Sequence, residues 1–123
     1  MQISSSVSLR ACVTAAAFFL AQSAFAHAHP IQRTPGAGAT VDVDQKEVSI
    51  EFDDTLEPAF SSLKVADAAG KSVTSGKSSV DANDKKHMTV ALGALKPGVY
   101  TVSWVAVAAD GHRTQGHYTF KVK

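Results

Sequence analysis

Tyr100-Thr101-Val102-Ser103-Trp104-Val105-Ala106 sets Tyr100, Val102, Trp104 and Ala106 on one side of an extended chain and Thr101, Ser103 and Val105 on the other. Successive side chains of a strand point to opposite faces, so a period of two marks a strand with one buried face. Lys96-Pro97-Gly98 supplies the turn that precedes it. The same alternation recurs along the chain. Val48, Ile50 and Phe52 alternate with Ser49, Glu51 and Asp53, and Leu63 and Val65 mark a further strand closed by the turn-prone Asp67-Ala68-Ala69-Gly70. Met88, Val90 and Leu92 follow the polar loop 81–86, and Tyr118, Phe120 and Val122 point inward in the last strand. No segment after residue 26 keeps a helical period over ten or more residues. Short strands separated by turn signals every 8 to 12 residues or so predict an all-β fold, a Greek-key β-sandwich of about seven strands, with Trp104 and Phe120 in its core.

Upstream of the strands the chain changes character. Arg10 supplies a positive charge, residues 11–21 form an apolar run, and Ala24-Phe25-Ala26 fits the small-x-small rule of signal peptidase. That run is shorter than the roughly 20 apolar residues that cross a bilayer. Residues 1–26 therefore read as a signal peptide cleaved after Ala26, and residues 27–123 as one exported domain. Cleavage after Ala28 is the alternative. Leu9-Arg10-Ala11-Cys12 is a poor lipobox, and Cys12 is the only cysteine, so the mature chain has no thiol and no disulfide. Its core alone must hold it, and any metal it binds must take nitrogen and oxygen ligands.

Removing residues 1–26 from 123 leaves 97, enough for one domain with a modest core. Arg10 leaves with the leader, so of 12 Lys and Arg 11 remain, balancing 11 Asp and Glu. These charges are interspersed, which argues against a nucleic-acid patch or a polybasic membrane stripe. With no second long apolar segment, the expectation is a periplasmic protein whose mature form is not membrane-embedded and has no nucleic-acid partner.

Cleavage after Ala26 makes His27 the first residue of His27-Ala28-His29-Pro30. An N-terminal histidine offers a metal its α-amine and its imidazole together. The other concentration of chemistry is Ala108-Ala109-Asp110-Gly111-His112. In an extended segment residues i and i+2 share a side, so Asp110 and His112 can converge, and Gly111 lets the backbone turn without steric cost. With His27 they make three nitrogens and one carboxylate oxygen. Such a tetragonal set suits Cu(II), which heads the divalent affinity order at most nitrogen sites.

Each of these residues has a plainer reading. His27 could be a frayed terminus, and Asp110 could simply cap backbone amides, a common use of Asp-Gly. His29 is a candidate auxiliary ligand, and it opens a second mode as well. A free terminus with histidine third can hold Cu(II) through the amine, two deprotonated amides and that imidazole, ignoring Asp110 and His112. The folded set is favoured because it needs no ordering of a flexible tail. His117 falls on the outward face of the last strand and His87 begins a strand after a charged loop, so both read as non-ligands. Asp53, Asp54 and Glu57 read as an acidic patch on a solvated loop.

His27-Ala28-His29, Phe52-Asp53-Asp54, Leu95-Lys96-Pro97-Gly98-Val99-Tyr100 and residues 102–123 together resemble the CopC-like periplasmic copper-resistance proteins. The most specific part is Trp104, then Asp110-Gly111-His112, then residues 116–120. The resemblance implies a cupredoxin-like or immunoglobulin-like β-sandwich that binds one Cu(II) ion per chain. It implies as ligands the mature terminal amine and ring of His27 with Asp110 and His112. Three departures are visible. Met88 is the only methionine after the leader, so no cuprous site is expected. The family's Phe-Ser-Glu reads Phe52-Asp53-Asp54, and a serine common before the Asp-Gly-His is replaced by Ala108 and Ala109.

The function these features predict is Cu(II) sequestration, resistance or delivery, with an inner-membrane copper transporter or a copper-requiring oxidase as partner and no catalysis. Ligands must shed protons to bind, so affinity falls on acidification. One rival is a copper oxygenase built on the N-terminal histidine, which would need an open position facing substrate. Another is a metal-free immunoglobulin-like interaction domain. No Ser-His-Asp or Cys-His arrangement is evident, and Asp53-Asp54 is too weak a signal for hydrolysis.

Overall fold

The computed structural model describes residues 27–123; the signal-peptide reading of residues 1–26 lies outside the described residues. Eight strands build two four-stranded sheets. In chain order they are β1 Pro30–Thr34, β2 Thr40–Val41, β3 Glu47–Phe52, β4 Ser62–Ala66, β5 Ser79–Val80, β6 His87–Ala91, β7 Gly98–Val107 and β8 Arg113–Val122. One sheet runs β1-β3-β6-β5 and the other β2-β8-β7-β4, so the chain changes sheet at every connection except β5–β6 and β7–β8. No helix occurs among the described residues.

Alternation does the folding. Val48, Ile50 and Phe52 of β3 face Val102, Trp104 and Ala106 of β7 and Phe120 of β8 across the core, all of them buried. The two aromatic contacts in the core differ in geometry. Phe52 meets Trp104 edge to face at 5.4 Å, whereas Tyr100 and Phe120, cross-strand partners on β7 and β8, stack at 5.5 Å. Each such pair adds about 0.5–1.5 kcal/mol beyond its buried area. Gly116 lies opposite Trp104 and leaves room for the indole; a Cβ there would stand 2.6 Å from Trp104 Cζ2.

Tyr118 has a strongly displaced titration. Its hydroxyl donates to the Pro35 carbonyl at 3.0 Å. Burial pushes its pKa up from 10.0 to about 12, partly offset by the Arg33 guanidinium, which lies 5.5 Å over the ring.

Two features of this frame position the candidate site. β7 and β8 are ten-residue strands joined through residues 108–112, so the Asp-Gly-His segment caps the longest hairpin. β1 pairs antiparallel with β3, Pro30 opposite Phe52, and this brings the residues before Pro30 alongside those after Phe52.

Candidate metal centre

The N-terminal arm is tied down at three successive residues. Ala28 is fully buried, and its carbonyl accepts a 2.6 Å hydrogen bond from Thr114 Oγ1 on β8. His29 N donates to Asp53 Oδ1 at 2.7 Å, and Asp53 N donates back to the His29 carbonyl at 3.0 Å. His29 Nδ1 donates to the His27 carbonyl at 3.0 Å and lies 3.6 Å from Asp53 Oδ2. The arm therefore leaves β1 in a fixed direction, with His27 at the sandwich edge.

The Asp-Gly-His segment is a tight turn. Gly111 N donates to the Ala108 carbonyl and Ala108 N to the His112 carbonyl, both at 2.9 Å. Gly111 adopts φ +88°, a conformation that a side chain would oppose. Asp110 and His112 thus converge because the chain turns back on itself, not because an extended segment puts them on one side. Asp110 Oδ1 accepts the His112 amide at 3.0 Å, and Oδ2 lies 2.9 Å from His112 Nδ1. The capping use of Asp-Gly and the pairing with His112 coexist on one carboxylate.

Residues 53–57 link arm and turn. Asp53 holds His29, Ala109 N donates to the Thr55 carbonyl at 3.2 Å, Leu56 bridges Ala108, and Glu57 N donates to the Val107 carbonyl at 2.8 Å. The segment read from sequence as a solvated acidic loop is a strut. Sequence reasoning named Asp53 only as part of an acidic patch and of a family stretch, and it missed Thr114; the roles of both are set by the β1–β3 and β7–β8 registers.

Across this junction the rings of His27 and His112 approach to 5.3 Å between centroids at 66°, and His27 and His29 to 5.9 Å at 61°. The structure thus brings together His27, His29, Asp110 and His112. It leaves out His117, exposed on the outer face opposite Ser103, and His87, paired with Glu51 at the start of β6. Met88 is fully buried, so its thioether has no access to an ion in solvent. Among the described residues no group of three or more His, Cys, Asp or Glu is arranged so that it could hold a metal ion. The donors that do gather are imidazole and carboxylate, the kinds that suit a divalent copper ion.

The CopC domain profile matches residues 31–123. The chain belongs to the CopC family. Within that family it is 37% identical over 102 residues to protein YobA of Escherichia coli K12, covering 82% of each chain. The crystal structure of CopC from Methylosinus trichosporium OB3b superposes with a TM-score of 0.73 at 30% identity, covering 79% of this chain and 94% of that one. PcoC of Escherichia coli, described as a methionine-rich copper resistance protein, superposes at 0.71 with 29% identity, covering 80% of this chain and all of its own. The family's β-sandwich is the architecture found here. By contrast with PcoC's description, this CopC-family chain has Met1 and the buried Met88 as its two methionines.

Proposed function

We propose that the mature protein, residues 27–123, is a periplasmic Cu(II)-binding protein that takes up one ion per chain at the junction of its N-terminal arm and its β7–β8 turn. The His27 amine and ring, the Asp110 carboxylate and the His112 ring would hold the ion, with His29 as an auxiliary ligand. The observation that carries this reading is the 5.3 Å approach of the His27 and His112 rings, residues from opposite ends of the domain, with the Asp110 carboxylate 2.9 Å from His112. Family membership and the copper-resistance description of PcoC support the choice of metal.

Cleavage after Ala26 would free the His27 nitrogen, which in the precursor belongs to a peptide bond. The ligands are then hard nitrogen and oxygen donors without thiolate or thioether, so bound Cu(II) resists reduction. Holding oxidised copper protects the compartment and keeps the ion available to a copper transporter or a copper-requiring oxidase. This is a carrier's task, not an enzyme's.

The test is intact mass of the secreted protein followed by EPR with one equivalent of Cu(II), on the wild type, His112→Ala and Asp110→Ala. A mass that begins at His27 and a spectrum that changes in both variants are expected. A wild-type spectrum retained by both variants would refute the site.

A further inference from the structure

We propose that Asp53 is a specificity-determining positioning residue that keeps copper off the backbone of the mature N-terminus and so directs it to the imidazole and carboxylate set. The proposal rests on the copper-binding reading above. His27-Ala28-His29 contains the elements of a competing site, in which one ion sits in a plane made by the terminal amine, the amide nitrogens of residues 28 and 29, and Nδ1 of the third residue. Both His29 atoms that this plane requires are already engaged. The amide nitrogen donates to Asp53 Oδ1 at 2.7 Å, and Nδ1 donates to the His27 carbonyl at 3.0 Å with Asp53 Oδ2 3.6 Å away.

A carboxylate accepting a backbone N–H makes a charge-assisted bond, roughly twice as strong as a neutral one. Copper would have to take the place of the very proton that Asp53 holds. The rest of the peptide plane is held as well. Asp53 N binds the His29 carbonyl at 3.0 Å, Thr114 binds the Ala28 carbonyl at 2.6 Å, and the Ala28 methyl is fully buried. Turning these amides toward a common ion would break those bonds and lift Ala28 out of the core. His27, by contrast, is exposed. Asp53 leaves the first residue to the metal and withholds the next two. It stands at this point because Phe52 pairs with Pro30.

The test uses protein beginning at His27, with Cu(II) alone and Ni(II) alone as probes. In His112→Ala, where the folded set is broken, adding Asp53→Ala is expected to move the Cu(II) visible band to shorter wavelength and give a four-nitrogen EPR pattern. Asp53→Ala alone is expected to give a yellow, diamagnetic Ni(II) complex that the wild type lacks. Asp53→Asn keeps an acceptor oxygen without its charge and should fall between wild type and Asp53→Ala. Thr114→Val, which frees the Ala28 carbonyl, should shift the Ni(II) result in the same direction as Asp53→Ala. In metal-free protein, exchange of the His29 amide hydrogen should quicken about tenfold in Asp53→Ala. Identical Ni(II) spectra and identical amide exchange in wild type and Asp53→Ala would overturn the proposal, whichever ligands Cu(II) uses. A Cu(II) spectrum indifferent to His112→Ala would overturn the copper site instead, and the Ni(II) and exchange comparisons would still decide on Asp53.

Discussion

Thr114 Oγ1 donates a 2.6 Å hydrogen bond to the carbonyl of Ala28, a residue 86 positions earlier in the chain. Thr114 lies two residues beyond His112 and Ala28 directly follows His27, so a single bond ties the two halves of the candidate copper site. Thr114→Val keeps the shape and removes the donor. Loss of one such bond costs about 1 kcal/mol in stability. Cu(II) affinity should drop on the order of tenfold, the equivalent of about 1.4 kcal/mol, because the arm is no longer held in place. Urea unfolding and a competition titration read the two effects separately.

Gly116 is held to glycine by the indole across from it. A methyl at 116 would meet Trp104 Cζ2 at 2.6 Å and Cε2 at 2.9 Å, and Trp104 is itself packed on Phe52. Gly116→Ala should destabilise the domain by about 1–3 kcal/mol through forced repacking and shift the fluorescence of the single tryptophan. Gly36→Ala is the control, since a Cβ there meets only the Arg33 carbonyl at 3.8 Å. It should change stability by less than about 0.5 kcal/mol.

Tyr118 governs alkaline stability. Burial raises its pKa from 10.0 to about 12 against the opposing charge of Arg33. The folded protein keeps a proton that the unfolded chain gives up first, so this contribution is complete below pH 10.0 and is lost as the pH rises to about 12. Tyr118→Phe removes the hydroxyl bonded to Pro35, and with it this slope. Unfolding measured at several pH values between neutrality and 12 should show a flatter alkaline limb in the variant than in the wild type, with lower stability near neutrality by about 1 kcal/mol.

Met88 is fully buried between the sheets, so copper binding should not depend on its sulfur. Met88→Leu nearly conserves volume and should change stability by less than about 1.5 kcal/mol. Copper stoichiometry measured by elemental analysis after dialysis should equal that of the wild type.

The strands with a strict period of two were legible because each buries one face of alternating side chains. Val48 to Phe52, Met88 and Val90, and Tyr100 to Ala106 all point where the pattern says. β1, with Ile31 61% exposed at an irregular pairing, carries no such alternation, and β2 and β5 are two residues long. Their existence depends on edges offered by other strands, which no local pattern encodes. At the site, His27, Asp110 and His112 stood out by chemistry and by the motif around them. The reason Asp110 and His112 meet did not, because it lies in the turn that returns the His112 carbonyl to Ala108 N. The role of Asp53 was hidden for a related reason. Its partner is set by the Pro30–Phe52 register, a long-range relation between a strand with a clear pattern and one without.

The most direct test is a Cu(II) competition titration against a chromophoric chelator, comparing protein that begins at His27 with the same protein carrying one extra alanine before it. The added residue leaves every side chain in place and converts the His27 amine into a peptide nitrogen. Affinity should fall by two orders of magnitude or so, about 2.7 kcal/mol, with the fold and melting temperature of the metal-free protein unchanged. Equal affinity in the two proteins would contradict capture of copper by the freed amine of His27.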